Sequence, residues 1–311
     1  MIAALSACIP CCGEPPETLQ VAIDSAAAQL PAGSELLILP NGPEAISAVE
    51  RVTIPEEAKV FPSEERLSMA SSWNRCLSAS RGTLIHILHA DDALAPGFYT
   101  TILSLAERYP QRSLYATGFG LLGDDPPRMD GSDALLLAGE EAGRFLLARE
   151  RHCCGSVVIS RCTFQDAGGF RDEYPYGPDE EAYLRYAADG GLAFDPRPLY
   201  RERKHAKQGR IGAWKNSDFV ATYWAGRVNG ARHFGEAVVR IAEHSTTRRV
   251  ISLAVTLALH GDGASGLRRL RDLAHCYPEC SSWPRYRLAK IACQFRAALQ
   301  AARLRRRYLL P

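Results

Sequence analysis

The sequence predicts an α/β fold, a mostly parallel sheet flanked by helices and followed by an all-helical C-terminal region. Short leucine-rich and β-branched runs alternate with helical stretches through the first two thirds, the pattern of strands joined by crossover helices. From about Ile211 strand signals stop, and apolar residues recur only at helical spacing. The expected division is therefore 1–210 and 211–311. A chain of 311 residues, 46% hydrophobic and 23% charged, has the composition of an ordinary globular protein with a sizeable core.

Strands are expected near Ala3–Ile9, Glu35–Leu39, Lys59–Phe61, Leu84–His89 and Leu114–Thr117, with helices near Pro16–Gln29 and Leu67–Ser80. Gly82 closes the second helix, and Ala95-Pro96-Gly97-Phe98 is a turn that feeds a helix from about Tyr99 to Arg108. Residues Leu121–Asp133, rich in Gly, Pro and Asp, form a loop placed to lie over a site. Ser156–Ser160 reads as a strand and Arg161–Ala167 as a helix ending on Gly168-Gly169. Glu180–Ala188 is a helix ending on Gly190-Gly191, before the chain runs through Pro196 and Pro198 into Tyr200–Lys207. Beyond 210, three groups supply the apolar faces: Phe219 with Tyr223 and Trp224, Val238 with Ile241, and Ile251 with Val255.

Charge is divided unevenly. Residues 1–210 carry 20 Lys/Arg against 29 Asp/Glu, and residues 211–311 carry 17 against 6. Residues 283–311 hold eight of these cations and no acid, with Leu288, Ile291, Phe295 and Leu299 at helical spacing. The expectation is a basic helix that docks on the protein through that stripe. Arg303, Arg305, Arg306 and Arg307 are then left to meet an anionic membrane surface. No nucleic-acid motif accompanies the charge. No apolar run approaches the ~20 residues of a membrane span. Leu5-Ser6-Ala7-Cys8 looks like a lipoprotein cleavage box but lacks a preceding charged and apolar region, so the expected location is cytoplasmic, with a possible peripheral position at the inner face of the membrane. The ten cysteines fit a reducing compartment, and Cys8-x-x-Cys11 with Cys276-x-x-x-Cys280 lacks the histidine pair of a common zinc site.

The most informative segment is Arg81-Gly82-Thr83-Leu84-Ile85-His86-Ile87-Leu88-His89-Ala90-Asp91-Asp92, an apolar strand that stops on two carboxylates. Ligands of open α/β sheets bind at the carboxyl ends of strands. Paired hard oxygen ligands there suit Mg²⁺ or Mn²⁺ beside a diphosphate. A turn-forming role for the two aspartates is the competing reading.

The order helix, Gly, strand, Asp-Asp, Pro-Gly-Phe resembles the family 2 glycosyltransferases. Further matches fall in the family's order: Ala7-Cys8-Ile9-Pro10, Leu36-Leu37-Ile38-Leu39-Pro40-Asn41-Gly42, Gly168-Gly169-Phe170 and Pro178-Asp179-Glu180-Glu181-Ala182-Tyr183-Leu184-Arg185. The resemblance covers roughly residues 2–210. It implies a glycosyltransferase A-type, Rossmann-like catalytic domain and an inverting transfer from a nucleoside-diphosphate sugar, UDP-linked by preference, to an acceptor hydroxyl. It places nucleotide contacts at Pro10, Cys12, Glu14, Asn41, Asn74, His89 and Asp92, metal at Asp91 and His205, and the catalytic base at Asp179, with Arg185 following it. Asp92 is the second choice as metal ligand.

The chain departs from the family where His89 replaces the first carboxylate of the Asp-x-Asp triplet, and where Pro40-Asn41 and Cys12-Gly13 stand at the base-binding turns. His89 is either a ligand-side imidazole or a structural strand-end histidine. Asp179 competes with a plain helix-dipole role for acids at a helix start. Two other functions stay open: an inactive glycosyltransferase-like scaffold that binds sugar nucleotides, and a nucleotidyltransferase. The second is disfavoured by one Gly and no basic residue in Cys11-Cys12-Gly13-Glu14-Pro15-Pro16.

Overall fold

The computed structural model of the protein describes residues 5–124, 133–148, 152–204 and 218–308, with side chains to residue 300. His205, residues 125–132 of the expected loop and the side chains of Arg303 to Arg307 lie outside the described residues.

A nine-stranded sheet forms the centre, in the order β3-β2-β1-β4-β8-β6-β9-β5, with β7 also paired to β9. Strands β1 (Leu5–Cys11), β2 (Glu35–Pro40), β3 (Lys59–Val60) and β4 (Leu84–Ile87) are parallel to one another. β8 (Val157–Ser160) is antiparallel to both β4 and β6 (Leu114–Leu121), so β6 returns to the direction of β4, and β9 (Leu192–Glu202) keeps it. The parallel strands are buried along almost their whole length except β3, as expected of a sheet covered on both faces. The expected α/β sheet flanked by helices is thus present, but it is mixed, with four parallel and four antiparallel pairings, and among the described residues helices alone follow residue 218.

Several elements differ from the expected ones. β5 (Ala93–Leu94) directly follows the Asp91-Asp92 turn and pairs antiparallel with β9, Leu94 opposite Tyr200 and Ala93 opposite Arg201. β7 (Leu135–Leu137) and a helix at Gly139–Ala148 follow the loop region. β9 passes through Pro196 and Pro198 because its register against β6 shifts between Thr117 and Phe119, where an irregularity removes the need for a regular ladder donor.

Helices α1 (Pro16–Ala27), α2 (Pro43–Val49), α3 (Met69–Ala79), α4 (Phe98–Arg108), α5 (Gly139–Ala148), α6 (Arg161–Ala167) and α7 (Pro178–Gly190) surround the sheet. They are followed by α8 (Phe219–Ala231), α9 (Glu236–Leu259), α10 (Gly263–Cys276) and α11 (Pro284–Tyr308). One apolar core runs without a break from Leu37 and Ile85 in the sheet through Tyr183 and Leu184 of α7 to Val220, Val238 and Leu270 of the C-terminal helices. No helix among the described residues is long and apolar enough to cross a membrane.

The expected docking of the last helix through its large apolar stripe is overturned. Leu288, Ile291 and Phe295 are each more than 60% exposed, and Leu299 is 38% exposed. The helix instead buries Tyr286, Ala289 and Cys293. Small residues decide this: a Cβ on Gly263 would lie 2.4 Å from the Cys293 carbonyl oxygen, and one on Gly266 would lie 2.7 Å from Cys293 Sγ. Glycine lets α10 approach α11 closely, and the rotation that does so turns the large apolar side chains outward.

Candidate active site

The carboxyl ends of β1, β2 and β4 lie at one edge of the sheet; Cys12 and Asn41 touch there, and His89 acts on the neighbouring Glu14. Asn41 follows β2 and bonds its N–H to the Cys11 carbonyl at 2.9 Å. Its side chain is almost fully buried; Oδ1 accepts from the Leu67 N–H at 2.8 Å, and Nδ2 donates to the Leu67 carbonyl at 3.1 Å and to Cys12 Sγ at 3.6 Å. The amide therefore secures the turn into α3 more than it offers an open edge. Pro10 is buried within β1, opposite Leu39.

The Asp91-Asp92 turn is held from several sides. Asp92 is 4% exposed, and its Oδ2 accepts from the Tyr200 hydroxyl at 2.6 Å while Oδ1 accepts from the Arg203 N–H at 2.8 Å. Arg203 Nε also donates to the Asp91 carbonyl at 3.0 Å. These partners arrive because β5 pairs with β9, which carries Tyr200 and Arg203 to the turn. Burial, with the adjacent Asp92 carboxylate, pushes the Tyr200 phenol well above its usual range, so it remains a donor.

His89 stacks on Trp73 with ring centroids 5.8 Å apart, and its Nδ1 lies 3.6 Å from Asp92 Oδ2. Its Nε2 is buried with no hydrogen-bond partner among the described residues. Burial opposes the imidazolium, but Cys154 and the Asp92 carboxylate outweigh it and raise the pKa well above the ordinary value. Glu14, whose Oε2 accepts from the Cys12 N–H at 2.7 Å, has a raised pKa because of burial and the nearby Asp91 carboxylate.

His89, Asp91 and Asp92 offer ligand atoms that all lie within 4.8 Å of one another. Two carboxylates and one imidazole, with a further acid at Glu14 nearby, form a donor set whose hard oxygens fit Mg²⁺ or Mn²⁺.

Asp179, 7% exposed in the first turn of α7, and His89 both act electrostatically on Cys154. The Cys154 thiol is raised by burial, then by Asp179, with His89 acting against them. A cavity of ≈ 10 Å³, about one water in size, is lined by Asp179, Glu180, His152, Cys154, Tyr183 and Leu146. Asp179, Cys154, His89 and the Asp91 turn thus form one continuous group.

The Gly168-Gly169-Phe170 turn is tied to this group by residues whose roles the sequence left hidden. Arg185 binds Glu181 through Nε at 2.8 Å and Nη2 at 2.9 Å, and also donates to the carbonyls of Ala167, Gly168 and Gly169. Asn74 forms a two-way amide bond with Phe170, both at 2.8 Å, so its side chain holds this turn. Asp172 accepts from Ser68 and Ser71 at the start of α3. All ten cysteines are free, Cys8 and Cys11 being buried in β1, where they pack as small hydrophobes.

A family model for glycosyl transferase family 2 matches residues 6–161, half of the chain. An uncharacterized protein of Mycobacterium tuberculosis is 27% identical over 170 residues, 48% of this chain and 50% of that protein, so the chain spans about half the length of the curated relative it matches. Among solved structures, residues 1–349 of S. aureus TarS in complex with UDP-GlcNAc superpose with a TM-score of 0.68 at 14% identity, covering 97% of this chain and 92% of that one. The same S. aureus segment in complex with UDP gives 0.63 at 12% identity, over 97% and 91%.

Proposed function

Because the chain belongs to glycosyl transferase family 2, we propose that it moves a sugar from a nucleoside-diphosphate donor to an acceptor hydroxyl, with inversion at the anomeric carbon. The observation that carries this reading is the continuous group from the Asp91 turn, through His89 and Cys154, to Asp179. Asp91 would hold Mg²⁺ or Mn²⁺, with His89 and Asp92 beside it and His205, outside the described residues, as a further ligand. A bound cation supplies positive charge that offsets the leaving diphosphate. Tyr200 and the Arg203 N–H fix Asp92, and Arg203 Nε holds the Asp91 carbonyl, so the backbone of the acidic turn is held in place.

Asp179 takes the proton of the attacking hydroxyl, in a pocket that admits about one small polar group. Arg185 positions the acceptor-side glycine turn without touching the reacting atoms. Pro10, Cys12, Glu14 and Asn41 shape the nucleoside end, while Asn74, placed there by motif position, reaches the donor only through the Phe170 turn that its amide holds. A UDP-linked donor is favoured, supported by the TarS complexes with UDP-GlcNAc and UDP. A thermal-shift screen of nucleotide sugars with Mn²⁺, followed by transfer assays on the stabilising donor, tests the reading; no stabilisation by any of them would overturn it.

A second reading, a sugar-nucleotide-binding scaffold without transfer, is favoured by two features. His89 stands where the family carries a carboxylate, and the Asn41 amide is engaged with Leu67. Intact donor binding with neither hydrolysis nor transfer would select it.

We also infer peripheral contact with an anionic membrane at its cytoplasmic face, without nucleic acid as a partner. The exposed stripe of Leu288, Ile291 and Phe295 lies on a helix with Arg285, Arg287, Lys290 and Arg296, and its apolar face enters the headgroup boundary. Co-sedimentation with anionic vesicles should be lost in Ile291→Asp/Phe295→Asp; undiminished sedimentation of that variant would remove the contact.

A further inference from the structure

A cavity of ≈ 580 Å³ opens between the end of α5 and one face of α9, away from the Asp91 turn. Arg240, His244, Arg248 and Arg249 line it from α9, with Leu147 and Arg227 among the other lining residues. Residues 240, 244 and 248 are four apart and therefore share a helix face. Among the described residues, no carboxylate lines this cavity.

Arg227 forms a rigid wall. It is 1% exposed, and donates from Nε to Thr246 Oγ1 at 2.8 Å and from Nη2 to the Leu147 carbonyl and Ser245 Oγ, both at 2.9 Å. Its Nη1 pairs with Glu180, which also accepts from the Tyr223 hydroxyl and lies 3.6 Å from Arg249. Glu180 thus offsets the buried guanidinium. Two of the outer cations lack such buried compensation: Arg240 meets Glu236 at 3.4 Å in a highly exposed pair and has Glu243 nearby, and Arg248 has no salt-bridge partner among the described residues. Guanidinium groups gathered around a concave surface, with no carboxylate among its described lining residues, match the oxygens of a phosphate, which they bind as planar forks.

The location adds a functional link. Glu180 and Leu146 wall the small cavity that holds Asp179, while Arg227 and Leu147 wall the large one. The two spaces are therefore separated by the Glu180–Arg227 ion pair. We propose that the cavity around Arg240, Arg248 and Arg249 is a second binding site, taking a phosphate group either carried by the acceptor or free in solution. Its role in acceptor recognition rests on the glycosyl-transfer reading; its anion binding does not.

Calorimetric titration of inorganic pyrophosphate into the full chain, in metal-free buffer at low salt, tests the site without nucleotide, sugar or transfer. In the absence of metal, Asp91 and Glu14 repel pyrophosphate from the donor site, so binding reports the arginine cavity. Saturable binding is expected in the wild type. Arg240→Ala/Arg248→Ala should weaken it by roughly tenfold or more, as loss of two charge-assisted contacts implies. Arg268→Ala/Arg271→Ala, which removes the same charge from α10, should leave it within about twofold, since surface charges outside the cavity contribute little. No wild-type binding, unchanged binding in the cavity variant, or equal losses in both double variants would overturn the site. Displacement by dimethyl phosphate identifies a phosphate within a chain; displacement by inorganic phosphate alone identifies a free anion.

Discussion

Tyr200→Phe isolates the contact that fixes the acidic turn. The tyrosine ring is fully buried, and its hydroxyl donates to Asp92 Oδ2 at 2.6 Å. Phenylalanine keeps the ring, so the apolar packing on Phe98 is retained and only the charge-assisted bond is lost. Such bonds contribute about 1.5–3 kcal/mol, and burial of the carboxylate puts this one toward the upper part of that span. His89, 3.6 Å from the same oxygen, recovers part of the loss by drawing closer. The expected fall in unfolding free energy is therefore roughly 1.5–3 kcal/mol, read from urea denaturation at pH 7 with an unchanged slope. A cycle with Asp92→Asn should show coupling of at least ~1 kcal/mol. A loss below ~0.5 kcal/mol, or independent effects of the two substitutions, would refute the view that Tyr200 anchors Asp92.

Asp91→Ala should abolish Mn²⁺-assisted UDP binding and reduce transfer by a factor of about 10²–10³; equal UDP affinity with and without Mn²⁺ in the wild type would contradict the metal role. Gly155→Ala should unfold or strongly destabilise the protein, since its Cβ would lie 2.0 Å from the buried Tyr200 hydroxyl; a wild-type thermal midpoint would show that this packing yields. His86 is fully buried, with Nε2 2.7 Å from the Gly155 carbonyl and Nδ1 3.1 Å from the Tyr99 hydroxyl. Burial lowers its pKa to about 4, so the unfolded chain binds more protons below pH 6.5. Its contribution is present above pH 6.5 and lost as the pH falls toward 4, by about 2 kcal/mol at pH 5. Denaturation of wild type and His86→Gln across this range should show a shallower decline in the variant, and parallel profiles would remove the assignment.

The long-range architecture explains which features were legible in the sequence. The run ending at Asp91-Asp92 was visible because a buried parallel strand is continuously apolar, and its stop on two acids is local information. Gly168-Gly169-Phe170 and the acidic start of α7 were visible for the same reason. The partners of Asp92 were not, because Tyr200 and Arg203 reach it through a two-residue strand, β5, too short to leave a period. Asn41 and Asn74 were expected at the nucleotide by motif position, yet their amides bond the backbone of Leu67 and Phe170. The outer face of α11 was misjudged because hydrophobic periodicity identifies a stripe without saying whether large or small residues face the protein. Gly263 and Gly266 settle that choice through a close approach that only the tertiary contact reveals.

Asp179→Asn is the most direct test of glycosyl transfer with Asp179 as base. The amide preserves the size of the side chain in its narrow pocket and removes its ability to take a proton. UDP-sugar affinity with Mn²⁺ should stay within about twofold while transfer falls by a factor of about 10²–10⁴, with the remaining product inverted at the anomeric carbon. Transfer at the wild-type rate, or a product that keeps the donor's anomeric configuration, would contradict the assignment of Asp179 and the inverting displacement.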